Sequence, residues 1–321
     1  MRRFVVGVDL GGTQIRAVLA DEKGTVLKRV STLTQAHEGA HRVMSRLVDC
    51  IGQALQEVER SQVLGIGVAT AGAVNPCTGV IAKAANLPGF ENWPLRDMLA
   101  QELHVPIYVG NDAKLAALAE HRFGAGQGTN FLIYLTISTG IGAGVIEDRR
   151  LLLGAHGWAT ELGHIIVEPN GPRCNCGNIG CLEALASGPA IARHAMQLLQ
   201  EGESSLLWEM VRDETARITA KEVVEAAQKG DALALQVMQR AAFYLGIGLV
   251  SFIHAFDPEC IIVGGGVSKA GELLFAPMRA VIAERVIAAA QRDIRIVPAA
   301  LGDDAGLIGA LALVLADVGA A

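Results

Sequence analysis

The stretch Phe4–Ser31, FVVGVDLGGTQIRAVLADEKGTVLKRVS, decides the fold. Phe4–Leu10 is a short apolar run, predicted as a strand. Gly11-Gly12 turns it into a second strand, Gln14–Ala20, and Asp21-Glu22-Lys23-Gly24 turns that into a third, Thr25–Ser31. Three strands joined by tight turns make an antiparallel meander. The pattern returns at Phe131. A strand runs to Ile137, Ser138-Thr139-Gly140 turns it, Ile141–Glu147 follows, and Asp148-Arg149-Arg150 leads into Leu151–Leu153. Few residues are shared; what repeats is strand, glycine turn, strand, turn, strand. The repeat predicts an α/β protein with two domains of similar topology.

The intervening chain fills in helices and further strands. His41–Glu59 carries Val43, Leu47, Ile51, Leu55 and Val58 at helical spacing. Val63–Val68 and Val105–Val109 read as strands. Gly110-Asn111-Asp112 then opens a helix, Ala113–Phe123, with Asn111 or Asp112 placed to cap it and Gly124 at its exit. Leu233–Phe256 is predicted as one long helix ending at Asp257-Pro258, because proline cannot continue it. Cys260–Val263 is a buried strand, and Gly264-Gly265-Gly266 leads to a helix from about Lys269. Ile294–Pro298 is a strand, and Gly302-Asp303-Asp304 precedes a last helix, Ala305–Leu315. No tether is visible, so the domain boundary is expected at crossovers.

Composition narrows the class. A chain of 321 residues suits two ordinary domains, and at 51% hydrophobic but 4% aromatic its core must be mainly aliphatic. Against 33 acidic residues stand 27 basic ones, a net charge of −6, with no Lys/Arg run. A nucleic-acid partner is therefore not expected. The start, MRRFVVGVDLGG, is too short in apolar length for a signal peptide and is interrupted by Asp9. The most membrane-like stretch, Ala241–Phe256, is shorter than a span and carries His254, so a buried helix and no membrane partner are expected. Cys50, Cys77 and Cys260 are isolated, which suits reduced thiols and a cytoplasmic location.

The other three cysteines are clustered. Within ELGHIIVEPNGPRCNCGNIGCLE (Glu161–Glu183) lie His164, Cys174, Cys176 and Cys181, with a carboxylate at each end. One imidazole and three thiols suit tetrahedral Zn²⁺, and four protein ligands leave no open position, so the metal is expected to be structural. Buried free thiols beside an unrelated histidine are the plainer alternative. A pinned loop would hold Glu161 and Glu183 in place as a platform for something polar.

The two glycine turns suggest phosphate chemistry. In Asp9-Leu10-Gly11-Gly12-Thr13 the glycines let backbone N–H groups approach an anion, Thr13 adds a hydroxyl, and Asp9 is placed to hold Mg²⁺ through water. Ser138-Thr139-Gly140 offers the same donors. Either turn alone reads equally as a plain hairpin; the matched pair reads as jaws on a polyphosphate. Neither a P-loop nor a dinucleotide fingerprint is present. Gly264–Gly266 reads either as a tight turn or as backbone lying flat on a base or ribose. Asp112 reads as a helix cap or as a general base for a hydroxyl, and both readings hold if Asn111 does the capping.

Together these residues resemble the ROK family of bacterial sugar kinases and repressors, in the actin-like ATPase superfamily. The resemblance rests on DLGGT (9–13), NLPGF (86–90), GND (110–112), STGIGAG (138–144), ELGH (161–164), CNCGNIGCLE (174–183), IIVGGG (261–266) and GDDAGLIGAL (302–311). It implies two ribonuclease-H-like domains with a cleft between them, 1–112 plus 303–321 and 113–302. It implies ATP with Mg²⁺, contacted by Asp9, Gly11, Gly12, Thr13, Thr139 and Gly140, with Gly265 and Gly266 near adenosine. Asp112 would be the catalytic base. Asn86, Asn111, Asp112, Glu161, His164 and Glu183 would bind the sugar, with His164 also on the metal. A homodimer or homotetramer is implied as well.

The leading expectation is an ATP-dependent glucokinase acting on the 6-hydroxyl of glucose. N-acetylmannosamine kinase, fructokinase and mannokinase are the near alternatives. A sugar-responsive repressor is more remote, since DLGGT begins at position 9, before which a DNA-binding module has no room. A zinc or redox binding module would leave Asp9 and Asp112 without a task.

Overall fold

The computed structural model describes residues 2–84, 86–211, 218–290 and 294–318. They form two compact units: residues 1–128, 144–160 and 300–321 make the first, and 129–143 with 161–299 the second.

The first unit opens with the meander, β1 (Phe4–Leu10), β2 (Gln14–Asp21) and β3 (Val26–Leu33), paired antiparallel in order. After α1 (Ala40–Ala54) comes β4 (Val63–Thr70), then three short strands, β5 (Ala73–Asn75), β6 (Val80–Lys83) and β7 (Glu91–Trp93), which form a small sheet of their own. Next are α2 (Leu95–Leu103), β8 (Ile107–Asn111) and α3 (Asp112–Phe123). The main sheet runs β3-β2-β1-β4-β8, with β1, β4 and β8 parallel. β1 and β4 are buried along nearly their whole length, whereas edge strand β3 is exposed at every second residue. That contrast follows from covering both sheet faces while leaving the edge wet. On one face Val6, Val8 and Leu10 meet Val43, Leu47 and Ile51 of α1. The helix stops at Ala54, short of the Glu59 its spacing suggested, although Leu55 and Val58 still pack on the core.

A second five-stranded sheet repeats this topology. β9 (Leu132–Ile137), β10 (Ile141–Glu147) and β11 (Arg150–Leu151) are the second meander, and the division between the units passes through β10. Four helices follow: α4 (Leu182–Ala186), α5 (Gly188–Gln200), α6 (Leu207–Met210) and α7 (Ala220–Gln228). Then come α8 (Ala232–Phe256), β12 (Cys260–Gly264), α9 (Glu272–Arg285) and β13 (Arg295–Pro298). The sheet order β11-β10-β9-β12-β13 matches β3-β2-β1-β4-β8 position for position, and β9, β12 and β13 are parallel. α8 is long and apolar enough to cross a membrane by length and composition, but 56% of its most apolar window is buried inside the protein. Asp231 caps its start through Ala234 N–H at 2.8 Å, and Asp257 ends it in the left-handed region before Pro258.

The last described element is α10 (Ala305–Val318), which returns to the first unit. Leu307, Leu311 and Val314 pack on Val5 and Val18, on the sheet face opposite α1. The approach is close enough that a methyl on Gly67 of β4 would collide with the Ala310 carbonyl, and one on Gly309 with that of Leu115 in α3. α3 therefore belongs with the first unit, whereas the resemblance implied a boundary just after Asp112. Two buried charges on α3 secure neighbouring segments. Glu120 accepts the N–H groups of Ala125 and Leu301, both at 2.8 Å, and Lys114 Nζ donates to Gly157 O at 3.0 Å. Gly67→Ala is expected to destabilise the protein by about 1–3 kcal/mol, the usual cost of overpacking, as read by urea unfolding. No measurable change would show that α10 is not seated on β4.

Candidate functional site

In the first unit the candidate residues gather at the C-terminal ends of the parallel strands, where ligands of open α/β sheets are bound. Asp9 lies in β1 directly opposite Arg16 of β2. Arg16 donates to Asp9 Oδ2 through Nε at 3.2 Å and Nη2 at 2.6 Å. It also reaches Asp303 O at 2.6 Å and Asp304 Oδ1 at 3.3 Å, while Arg29 holds Asp304 Oδ2 at 2.8 Å. One Asp9 oxygen is thus committed to a cation. The other faces Gly306 at the start of α10, where even an added methyl would stay 3.8 Å away. The sequence reading found Asp9 but not its partner.

The turn after Asp9 is closed by Gly11 N–H to Gln14 O at 3.0 Å and braced by Thr34, whose hydroxyl donates to Gly11 O at 2.6 Å. Thr13 is exposed at its tip. Gly12 lies against Asn86, whose backbone O and Cβ would be 2.8 and 2.9 Å from a methyl placed there. The NLPGF loop therefore packs on the glycine turn. At the end of β8, Asn111 caps α3: its Oδ1 accepts from Ala113 and Lys114 N–H, each at 3.1 Å, and its Nδ2 donates to Gly72 O at 3.0 Å. Asp112, first residue of α3, accepts Ala113 N–H at 2.8 Å. Asn111 is the cap, and Asp112 sits where the helix N-terminus favours a carboxylate.

In the second unit, His164, Cys174, Cys176 and Cys181 converge. Their ligand atoms all lie within 4.8 Å of one another. Cys174 Sγ is 3.7 Å from His164 Nδ1, and Cys176 Sγ is 3.7 Å from Cys181 Sγ. Ligands about 2.3 Å from a common tetrahedral centre stand about 3.8 Å apart, so this set fits a zinc-sized ion. As free thiols the three differ. Burial raises Cys174, the Asn178 N–H pulls Cys176 down, and burial with hydrogen bonding to the other cysteines pushes Cys181 up to about 12.

The Ser138-Thr139-Gly140 turn lies beside this cluster. Glu183 Oε2 accepts the Ile141 N–H at 2.9 Å, and its Oε1 is 3.6 Å from Cys174 Sγ. Glu161, exposed, precedes the short turn Leu162–His164, in which Gly163 packs flat on the Ile141 carbonyl. Gly265, at φ +83°, presses on the backbone of Ile137, and nothing crowds Gly266. Thr139 and Gly266 open on a cavity of about 840 Å³, walled by Pro189, Ala192 and Met196 of α5 and by Lys221 and Val224 of α7. The sequence reading missed those walls.

Residues 5–317 match the model of the ROK family. The glucokinase of Thermotoga maritima is 36% identical over 315 residues, covering 98% of each chain. A ROK family glucokinase from Streptomyces griseus, solved in complex with glucose and AMPPNP, superposes with a TM-score of 0.81 at 35% identity, covering 97% of this chain and 98% of that one. The xylose repressor of Caldicellulosiruptor bescii is 32% identical over 318 residues, which are 98% of this chain and 78% of the repressor.

Proposed function

The chain belongs to the ROK family, and we propose that it is an ATP-dependent glucokinase, transferring the γ-phosphoryl group of ATP to the 6-hydroxyl of glucose. Near-full-length similarity to glucokinases supports the reaction. The observation that carries the chemistry is the division of labour at the end of β8. Asn111 satisfies two amides of α3, so the Asp112 carboxylate need not serve as the cap.

Phosphoryl transfer asks mainly for positioning and charge stabilisation. Asp112 takes the proton of the 6-hydroxyl as the sugar oxygen attacks the γ-phosphorus and the bond to the β–γ bridging oxygen breaks, releasing ADP. Asn86, Asn111, Glu161, His164 and Glu183 bind the remaining sugar hydroxyls; amide, imidazole and carboxylate groups match the donors and acceptors of a sugar. Gly11, Gly12, Thr13, Thr139 and Gly140 present N–H and hydroxyl groups to phosphates. The cavity bordered by Gly266, with Gly265 behind it, takes the adenosine. Asp9, paired with Arg16, would hold Mg²⁺ through water, and the ion would screen phosphate charge. His164, Cys174, Cys176 and Cys181 would hold a structural Zn²⁺, which fixes the loop and activates no water. Such an enzyme works in the cytoplasm, with its nucleotide.

A binding-only reading leaves Asp112 no proton to accept. A panel of glucose, mannose, fructose and N-acetylmannosamine, followed by coupled ADP release, tests the assignment. Glucose is expected to give the highest kcat/KM. Turnover confined to the acylated amino sugar would overturn it.

A further inference from the structure

We propose that Glu183 is a positioning residue for the Ser138-Thr139-Gly140 turn, acting through the backbone of Ile141 and not only on the sugar. The proposal rests on reading that turn as a receiver of ATP phosphates. Glu183 stands on the first turn of α4, immediately after Cys181 and Leu182. Both of its oxygens face protein groups: Oε2 accepts the Ile141 N–H at 2.9 Å, and Oε1 lies 3.6 Å from Cys174 Sγ. Gly163 meets the carbonyl of the same Ile141. The segment that carries His164 thus packs against the carbonyl of Ile141, and the residue two after Cys181 bonds its N–H. At the other end of the turn, Ser138 O accepts Gly188 N–H at 2.8 Å, and Ser138 N–H closes on Gly140 O at 2.9 Å. The turn is therefore held at both ends, and the bond to Glu183 at the Ile141 end is charge-assisted, the stronger class of hydrogen bond. Gly140 is glycine for a matching reason: a methyl there would lie 2.6 Å from Glu183 Oε2.

The test is nucleotide binding without sugar, by calorimetry with ADP and a non-hydrolysable ATP analogue. Glu183→Ala is expected to weaken binding about tenfold, the size of one hydrogen bond to a charged group. Glu183→Gln keeps an oxygen for the same N–H but not its charge, and is expected to bind nucleotide between the wild type and the Ala variant. Gly140→Ala, which displaces the carboxylate without removing it, should weaken binding similarly, and adding it to Glu183→Ala should cost nothing more. That pair also covers the case in which one variant folds poorly. A Glu183→Ala protein that binds nucleotide normally, or a Gln variant as weak as the Ala one, overturns the proposal alone. Loss in Glu183→Ala with none in Thr139→Ala would overturn the phosphate reading of the turn, and the proposal with it.

Discussion

Asp112→Asn lowers kcat by roughly 10²–10⁴-fold, the range for a positioned acid–base group, while glucose binding persists. That loss is about 3–5 kcal/mol of barrier. The substitution is nearly isosteric, and an amide oxygen can still accept the Ala113 N–H that Asp112 accepts at 2.8 Å. Asn111 continues to cap α3. The helix start is thus expected to survive, and thermal unfolding should barely move. What is lost is the capacity to take a proton from the attacking hydroxyl. The measurement is steady-state kinetics alongside glucose binding by calorimetry. Turnover near the wild-type rate would place the base elsewhere. A fall in glucose affinity matching the fall in kcat would make Asp112 a binding group only.

A glycine, an amide and a carboxylate between an apolar strand and an apolar helix made the start of α3 legible; the sequence left the cap open between Asn111 and Asp112, and the structure gives it to Asn111. β1 and β10 were readable for a similar reason: both are apolar runs bounded by turn residues. The stretch between Glu183 and Leu233 was not read, although two local signals stand in it. Thr219 and Glu222 form a capping box at the start of α7, and Pro189 opens α5. α2 shows Leu95, Leu99 and Leu103 one helical turn apart, all buried. β5, β6 and β7, at three or four residues each, are too short to show a period.

Other features have no local signal at all. Arg16 meets Asp9 only because the hairpin register sets them opposite, and a shift of one residue would send Arg16 to the other face. α3 joins the first unit through α10, nearly the whole second unit later in the chain. The tie from Glu183 to Ile141 spans 42 residues. Motif reading finds each end of such a contact and misses the contact.

The cysteine cluster carries the other large expectation. Cys176→Ser should take the metal content from about one Zn²⁺ per chain, the load of a closed four-ligand site, to almost none. Loss of an outer-shell partner already costs 10–100-fold in metal affinity, and a ligand is expected to cost more. Cys176 is the clean choice because its side chain is exposed, so serine removes a donor without opening a core cavity; Cys181 is fully buried. Glucose affinity should fall with the metal, since His164, Glu161 and Glu183 stand on the segments the ion would pin. Chelation of the wild type should reproduce the effect, and chelation of the variant should add nothing. Cys77→Ser, at an exposed thiol outside the cluster, should leave metal content unchanged. Uptake should weaken as pH falls, because thiolates are the ligands and the Cys181 thiol, pushed up to about 12 without metal, holds its proton firmly. Stabilisation by the ion follows mass action, so thermal unfolding of the wild type should shift with free Zn²⁺ and that of the variant should not. A metal-free Cys176→Ser protein that binds glucose as tightly as the wild type would show that the loop stands without its ion, and that the sugar platform does not depend on it.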